Sequence, residues 1–172
     1  MKKIILLGYM GCGKSTIANS LSGITEIPFL DLDKCIEETV DLTINQIFEI
    51  YGEVYFRKLE HEILLDLLNS PGKIIIGLGG GTPCYANNHQ LLKSDAVCSI
   101  YLKASIDTLF SRLVNDKSKR PLLADLNEQE MREFIAKHLF DRSFYYHHAQ
   151  HIISVDNCTI DETVLEIQHL LA

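Results

Sequence analysis

Lys14 and Ser15 close the run Gly8-Tyr9-Met10-Gly11-Cys12-Gly13-Lys14-Ser15, in which a glycine is followed by four residues and then by Gly-Lys-Ser. That spacing is suited to holding a polyphosphate. Glycines let the backbone fold back until several amide N–H groups point inward at one anion. Lys14 then reaches the β- and γ-phosphates, and Ser15 ligates Mg²⁺. Gly11, Cys12, Gly13, Lys14, Ser15 and Thr16 are therefore the expected ATP-binding residues. The plainer alternative is a glycine turn between a strand and a helix. The setting speaks for a phosphate site: the apolar run Lys3-Ile4-Ile5-Leu6-Leu7 precedes it, and Thr16-Ile17-Ala18-Asn19-Ser20-Leu21 opens a helix after it. The positive end of that helix adds to the field of the loop.

Other residues supply acids and cations. Asp31-Leu32-Asp33 ends the second strand candidate, where residues i and i+2 face the same side. Both carboxylates are expected at the crevice along the carboxyl edge of the sheet. One would support Mg²⁺ through water, and the other would orient a substrate hydroxyl. A helix N-cap at Asp33 is the alternative and accounts for one aspartate only. Arg57 and Glu60 are neighbours on one helix face, so the acid can hold the guanidinium in one orientation. Taken alone, a surface ion pair explains them equally well. Phe48 and Phe56 belong to the core first and to a pocket wall second. Gly79-Gly80-Gly81 costs conformational entropy and offers no side chains, which suits a ligand that must approach the backbone closely.

Lys119-Arg120-Pro121-Leu122-Leu123 lies in a polar, irregular stretch. An arginine carried there by a flap can stabilise a transferring phosphoryl group. Arg112, just before the stretch, is placed to stack on a base. Arg142 is a second candidate for bidentate anion binding. For each arginine, a solvated surface cation is the competing reading. Lys14 and the helix N-terminus should lower the Cys12 thiol pKa. This predicts preferential labelling that ATP prevents; the alternative is a small side chain that fills the loop.

The elements that must position these groups alternate. Strand candidates fall at 3–7, 28–31, 73–77, 97–102 and 151–155, and the clearest helices at about 14–23, 53–69, 105–114, 128–147 and 160–171. Alternation of this kind implies an α/β fold with a parallel sheet covered on both faces. Residues 32–71 form a long crossover that Gly52 should break. Residues 115–127 are long and irregular enough to form a mobile lid.

The 172 residues are read as one domain, 1–172, with a substrate-binding region at about 32–61 and a lid at about 113–125. A net charge of −7 argues against a nucleic-acid surface. No apolar stretch approaches the ~18–20 residues of a membrane span. With no leader in evidence, the expected location is cytoplasmic. Five cysteines without a CxxC pair fit reduced thiols. His147, His148 and His151 lack the further partners of a usual metal site.

In this order the motifs resemble the shikimate kinase family. The resemblance runs from the phosphate loop through Asp-x-Asp, Phe56-Arg57-x-x-Glu60, the three glycines and Arg120-Pro121-Leu122-Leu123 to Arg142 and Tyr146. It covers essentially the whole chain. It implies a doubly wound P-loop domain with a five-stranded sheet of order 2-3-1-4-5, transfer of the ATP γ-phosphoryl group to the 3-hydroxyl of shikimate, and a monomer. Lys14, Asp33 and Arg120 would be catalytic. Asp33, Arg57, Gly79, Gly80, Gly81 and Arg142 would bind shikimate, supported by Phe48, Phe56, Glu60, Pro121 and Leu122. Ser15 would ligate Mg²⁺ with Asp31 assisting through water, and Arg112 and Arg120 would contact ATP. The chain departs from the family at Val155–Ile160, which has neither arginine nor proline near the expected adenine. A gluconate-type sugar-acid kinase and a non-catalytic ATP-dependent regulator are the alternatives.

Overall fold

The computed structural model describes residues 2–119 and 122–172. Strand β1 (Lys3–Leu7) is buried along its whole length. That is why it reads as an unbroken apolar run: a central parallel strand has helices on both faces. Its charged residue, Lys3, donates to Ser70 O at 2.6 Å, Ser70 Oγ at 3.0 Å and Gly72 O at 2.8 Å. The buried ammonium thereby ties down the turn that follows a long helix, α3 (Ile44–Asn69), whose C-cap is Ser70.

Strands β2 (Phe29–Asp31), β3 (Ile75–Gly77), β4 (Val97–Lys103) and β5 (His151–Ser154) complete a parallel sheet in the order β2-β3-β1-β4-β5. This is the order implied by the resemblance. Pro28 stays just outside β2 and joins through its carbonyl, which accepts from Ile75 N at 2.9 Å; it has no N–H to give the ladder. From β1 the chain crosses to the edge strand β2, returns to β3 beside β1, and then builds β4 and β5 on the other side of β1. That reversal opens a crevice beyond the carboxyl end of β1.

The remaining helices are α1 (Lys14–Thr25), α2 (Leu32–Val40), α4 (Asn88–Leu91), α5 (Ile106–Leu113), α6 (Glu128–Tyr146) and α7 (Ile160–Leu171). Ile17 and Leu21 of α1, Leu109 of α5 and Ile167 of α7 join the sheet residues in the core. Reciprocal capping boxes start α3 (Thr43 with Gln46), α6 (Asn127 with Glu130) and α7 (Thr159 with Glu162). The expected break at Gly52 is present as a non-helical residue inside α3. Among the described residues no helix is long and apolar enough to cross a membrane.

Candidate active site

The loop between β1 and α1 follows from its glycines. Gly8 has φ +150°, and a Cβ there would sit 2.7 Å from Leu102 O. Gly13, at φ 99°, is the N-cap of α1, and no side chain caps that helix. The first amides of α1 are thus left to an external acceptor, which suits a phosphate. Lys14 Nζ folds back to donate to Gly8 O at 2.7 Å and Tyr9 O at 3.1 Å. Ser15 Oγ donates to Asp31 Oδ2 at 3.5 Å, a long contact that brings the two expected metal-supporting groups together. Cys12 is fully buried. The expectation of a readily labelled thiol therefore gives way to the packing alternative, because burial denies a reagent access.

The two aspartates are arranged differently from the expectation. They do not share a strand: β2 ends at Asp31, and Asp33 lies in the first turn of α2. Asp31, not Asp33, is the cap, and its carboxylate accepts from the N–H groups of Asp33 and Lys34 at 3.1 and 3.4 Å. Both still line one cleft. Burial pushes the Asp33 carboxyl up from 3.8 to about 6, with the negative charges of Asp31 and Glu60 adding to the effect and Lys14 opposing it. A carboxyl poised there can take a proton near neutral pH.

On the far side of Asp33, Arg57 projects from α3. Its Nη1 donates to Glu60 Oε2 at 2.9 Å and its Nε to Glu53 Oε1 at 3.4 Å. Glu60 is only 1% exposed and also accepts from Thr82 Oγ1 at 2.6 Å. The surface-pair reading of Arg57 and Glu60 is thereby overturned, since the acid is buried and satisfied on both oxygens. Phe56 is buried and Phe48 stacks on it at 4.6 Å.

The three glycines after β3 meet three different side chains. A Cβ at Gly79 would lie 3.0 Å from Asp33 Oδ1, one at Gly80 would lie 3.1 Å from Arg142 Nη1, and one at Gly81 would lie 3.0 Å from Arg57 Nη2. Bare backbone is what lets an acid and two cations converge here. Arg142 rests over the Tyr9 ring at 5.5 Å. One turn along α6, Tyr146 donates to Gly80 O at 2.6 Å and fixes the glycine strip to that helix. Burial pushes the Tyr146 hydroxyl pKa up, so it remains a donor.

A cleft of about 620 Å³ runs from Asp33 and Gly79 along the phosphate loop to the loop after β5. Arg112 staples its far end, donating to Gly11 O at 3.3 Å, Cys12 O at 3.1 Å and Val155 O at 3.5 Å. Asp116 of the expected lid and Cys158 of the loop read as near the adenine also line it, as does Thr163, which sequence reasoning missed. That reasoning also missed Thr82 and Asn88 beneath Arg57. Thr82 directly follows the glycine run, a signal that was available; nothing in the spacing marked Asn88. Arg120 and Pro121 lie outside the described residues, and Leu122 is exposed. Among the described residues no group of three or more His, Cys, Asp or Glu is arranged to hold a metal. His147 and His148 instead engage the carbonyls of Ser143 and Phe144 at the end of α6.

A family model described as shikimate kinase matches residues 10–172. A shikimate kinase of Flavobacterium johnsoniae is 70% identical over 172 residues, covering all of both chains. One of Flavobacterium psychrophilum is 52% identical, covering 99% of each. Among solved structures, shikimate kinase from Bacteroides thetaiotaomicron superposes with a TM-score of 0.90 at 33% identity, over 99% of this chain and 98% of that one. Shikimate kinase from Acinetobacter baumannii in complex with shikimate gives a TM-score of 0.85 at 30% identity, over 99% and 93%.

Proposed function

Because the chain belongs to the shikimate kinase family, we propose that its cleft transfers the γ-phosphoryl group of ATP to the 3-hydroxyl of shikimate. The products are 3-phosphoshikimate and ADP, a step towards chorismate and the aromatic amino acids. The observation that carries this reading is the glycine strip at 79–81, where Asp33, Arg142 and Arg57 converge beside the phosphate loop. An acid to hold a hydroxyl and two guanidiniums to hold a carboxylate suit a hydroxy-acid acceptor.

Lys14 would swing from its loop carbonyls to the phosphates, and Asp33 would orient the acceptor hydroxyl and receive its proton. Positioning and charge neutralisation are most of what phosphoryl transfer needs. Mg²⁺ fits the hard oxygen donors of Ser15 and Asp31, the latter through water, and when bound would offset the negative charge of the phosphates. Arg120 is assigned the role of a cation at the transferring group from the family motif. Arg112 and the loop after β5 would hold the base. Residues 32–61 would form the acceptor-binding region and 113–125 the lid of one domain, acting as a cytoplasmic monomer without nucleic-acid or membrane partners.

The test is a coupled ADP-release assay with Mg²⁺ and ATP, comparing shikimate, gluconate and no acceptor. Shikimate-dependent turnover that disappears in Asp33→Ala, with ATP binding retained, is the expected result. Turnover with gluconate alone would overturn the acceptor, and ATP binding without any turnover would favour a regulator.

A further inference from the structure

Tyr85 has no place in the site as described, yet it makes a close contact with one of its arginines. The Arg57 guanidinium carbon lies 3.8 Å from the centre of the Tyr85 ring, against 5.0 Å from that of Phe56. We propose that Tyr85 is a positioning residue for the acceptor carboxylate, holding the plane of Arg57 so that Nη2 faces the glycine strip. The inference rests on the reading of Arg57 as a carboxylate-binding group.

The hydrogen bonds to Glu53 and Glu60 occupy the Nε and Nη1 edges of the guanidinium. In-plane bonds fix where the edge lies but resist tilting weakly, because carboxylate acceptance is broad in angle. A ring against the flat face resists tilting directly, through contact and through the attraction of a cation to the ring quadrupole. Nη2 makes no hydrogen bond among the described residues and is the nitrogen nearest a Cβ built at Gly81. It is the donor left for an acceptor.

The loop that carries Tyr85 is built to hold it. Asn88 N donates to Tyr85 O at 2.9 Å, closing a turn whose central residues Ala86 and Asn87 have φ values of 49° and 57°. This is a left-handed turn with alanine where glycine or asparagine is preferred. Its far end is anchored: Asn88 is 1% exposed, donates to Thr82 O at 3.0 Å and pairs with His61 Nδ1 at 2.6 Å. The same Thr82 holds Glu60 through its hydroxyl. One buried strip therefore sets both the edge and the face of Arg57. The Tyr85 hydroxyl has no hydrogen-bond partner among the described residues, so the ring itself is the functional part.

The test is steady-state kinetics of Tyr85→Phe, Tyr85→Leu and Tyr85→Ala, varying shikimate and ATP separately. Tyr85→Phe should stay within about twofold of the parent, because it keeps the ring face. Tyr85→Leu and Tyr85→Ala should raise the KM for shikimate roughly three- to tenfold, with the KM for ATP and kcat little changed. A merely structural role would depress kcat or shift both KM values and would overturn the assignment, as would an unchanged shikimate KM in Tyr85→Ala. Inhibition by shikimate carboxamide, which lacks the charge that Arg57 reads, should weaken far less in Tyr85→Ala than substrate binding does; equal weakening also overturns it. Failure of the parent protein to turn over shikimate would refute the functional reading itself and remove the premise.

Discussion

Replacing Asp33 by asparagine should raise stability at neutral pH while removing turnover. The Asp33 carboxyl is pushed from 3.8 up to about 6, first by burial and then by Asp31 and Glu60. Between those two pH values the folded chain binds more protons at this site than the unfolded chain does. Stability from this group is therefore fully present below 3.8 and is lost as pH rises through the window to about 6. At about 1.4 kcal/mol per pH unit, ionised Asp33 costs the fold at most about 3 kcal/mol at neutral pH. Asparagine has the same shape and does not titrate. At about 2–4 °C per kcal/mol for a chain of this size, Asp33→Asn should melt up to roughly 6–12 °C higher at pH 7.5. The gain should shrink steadily towards pH 4.5. Thermal unfolding without nucleotide across that range checks this, alongside ADP release. A variant no more stable than the parent at pH 7.5, or a gain equal at every pH, would refute the argument that ionised Asp33 is held at a cost.

Other perturbations follow from the same geometry. Glu60→Gln removes the counter-charge of Arg57 while keeping the shape, and should cost about 1–3 kcal/mol of stability. It should also raise the KM for shikimate about tenfold with that for ATP unchanged; parental values in both melting and kinetics would show the buried acid to be dispensable. Gly81→Ala introduces no backbone strain, since φ is −92°, but sets a methyl 3.0 Å from Arg57 Nη2. Its expected outcome is a higher shikimate KM at near-parental melting temperature, and an unchanged KM would count against close approach as the reason for glycine. Ala86→Gly relieves a left-handed alanine and should gain about 1 kcal/mol, read as a melting increase of a few degrees; a lower melting temperature would contradict the strain assigned to that turn.

The phosphate loop was legible because its information is local. Strand, glycines, Lys14 and Ser15 are contiguous, and their conformational demands act within a few residues. The same holds for the helix pairing of Arg57 with Glu60, for the break at Gly52 and for the unbroken apolar run of β1. Two local readings failed where neighbouring elements compete: whether Asp33 ends a strand or begins a helix depends on where β2 stops pairing with β3, a tertiary decision. The burial of Glu60 likewise depends on Thr82 arriving from another part of the chain. Only the sheet order brings α2, α3, the loop after β3 and α6 to one edge, so only the folded chain could set Asp33, Arg57 and Arg142 over three consecutive glycines. Tyr85 shows the limit most clearly. Nothing in its spacing marks it, because its contact with Arg57 is made across space by a left-handed turn and not by any periodicity of the chain.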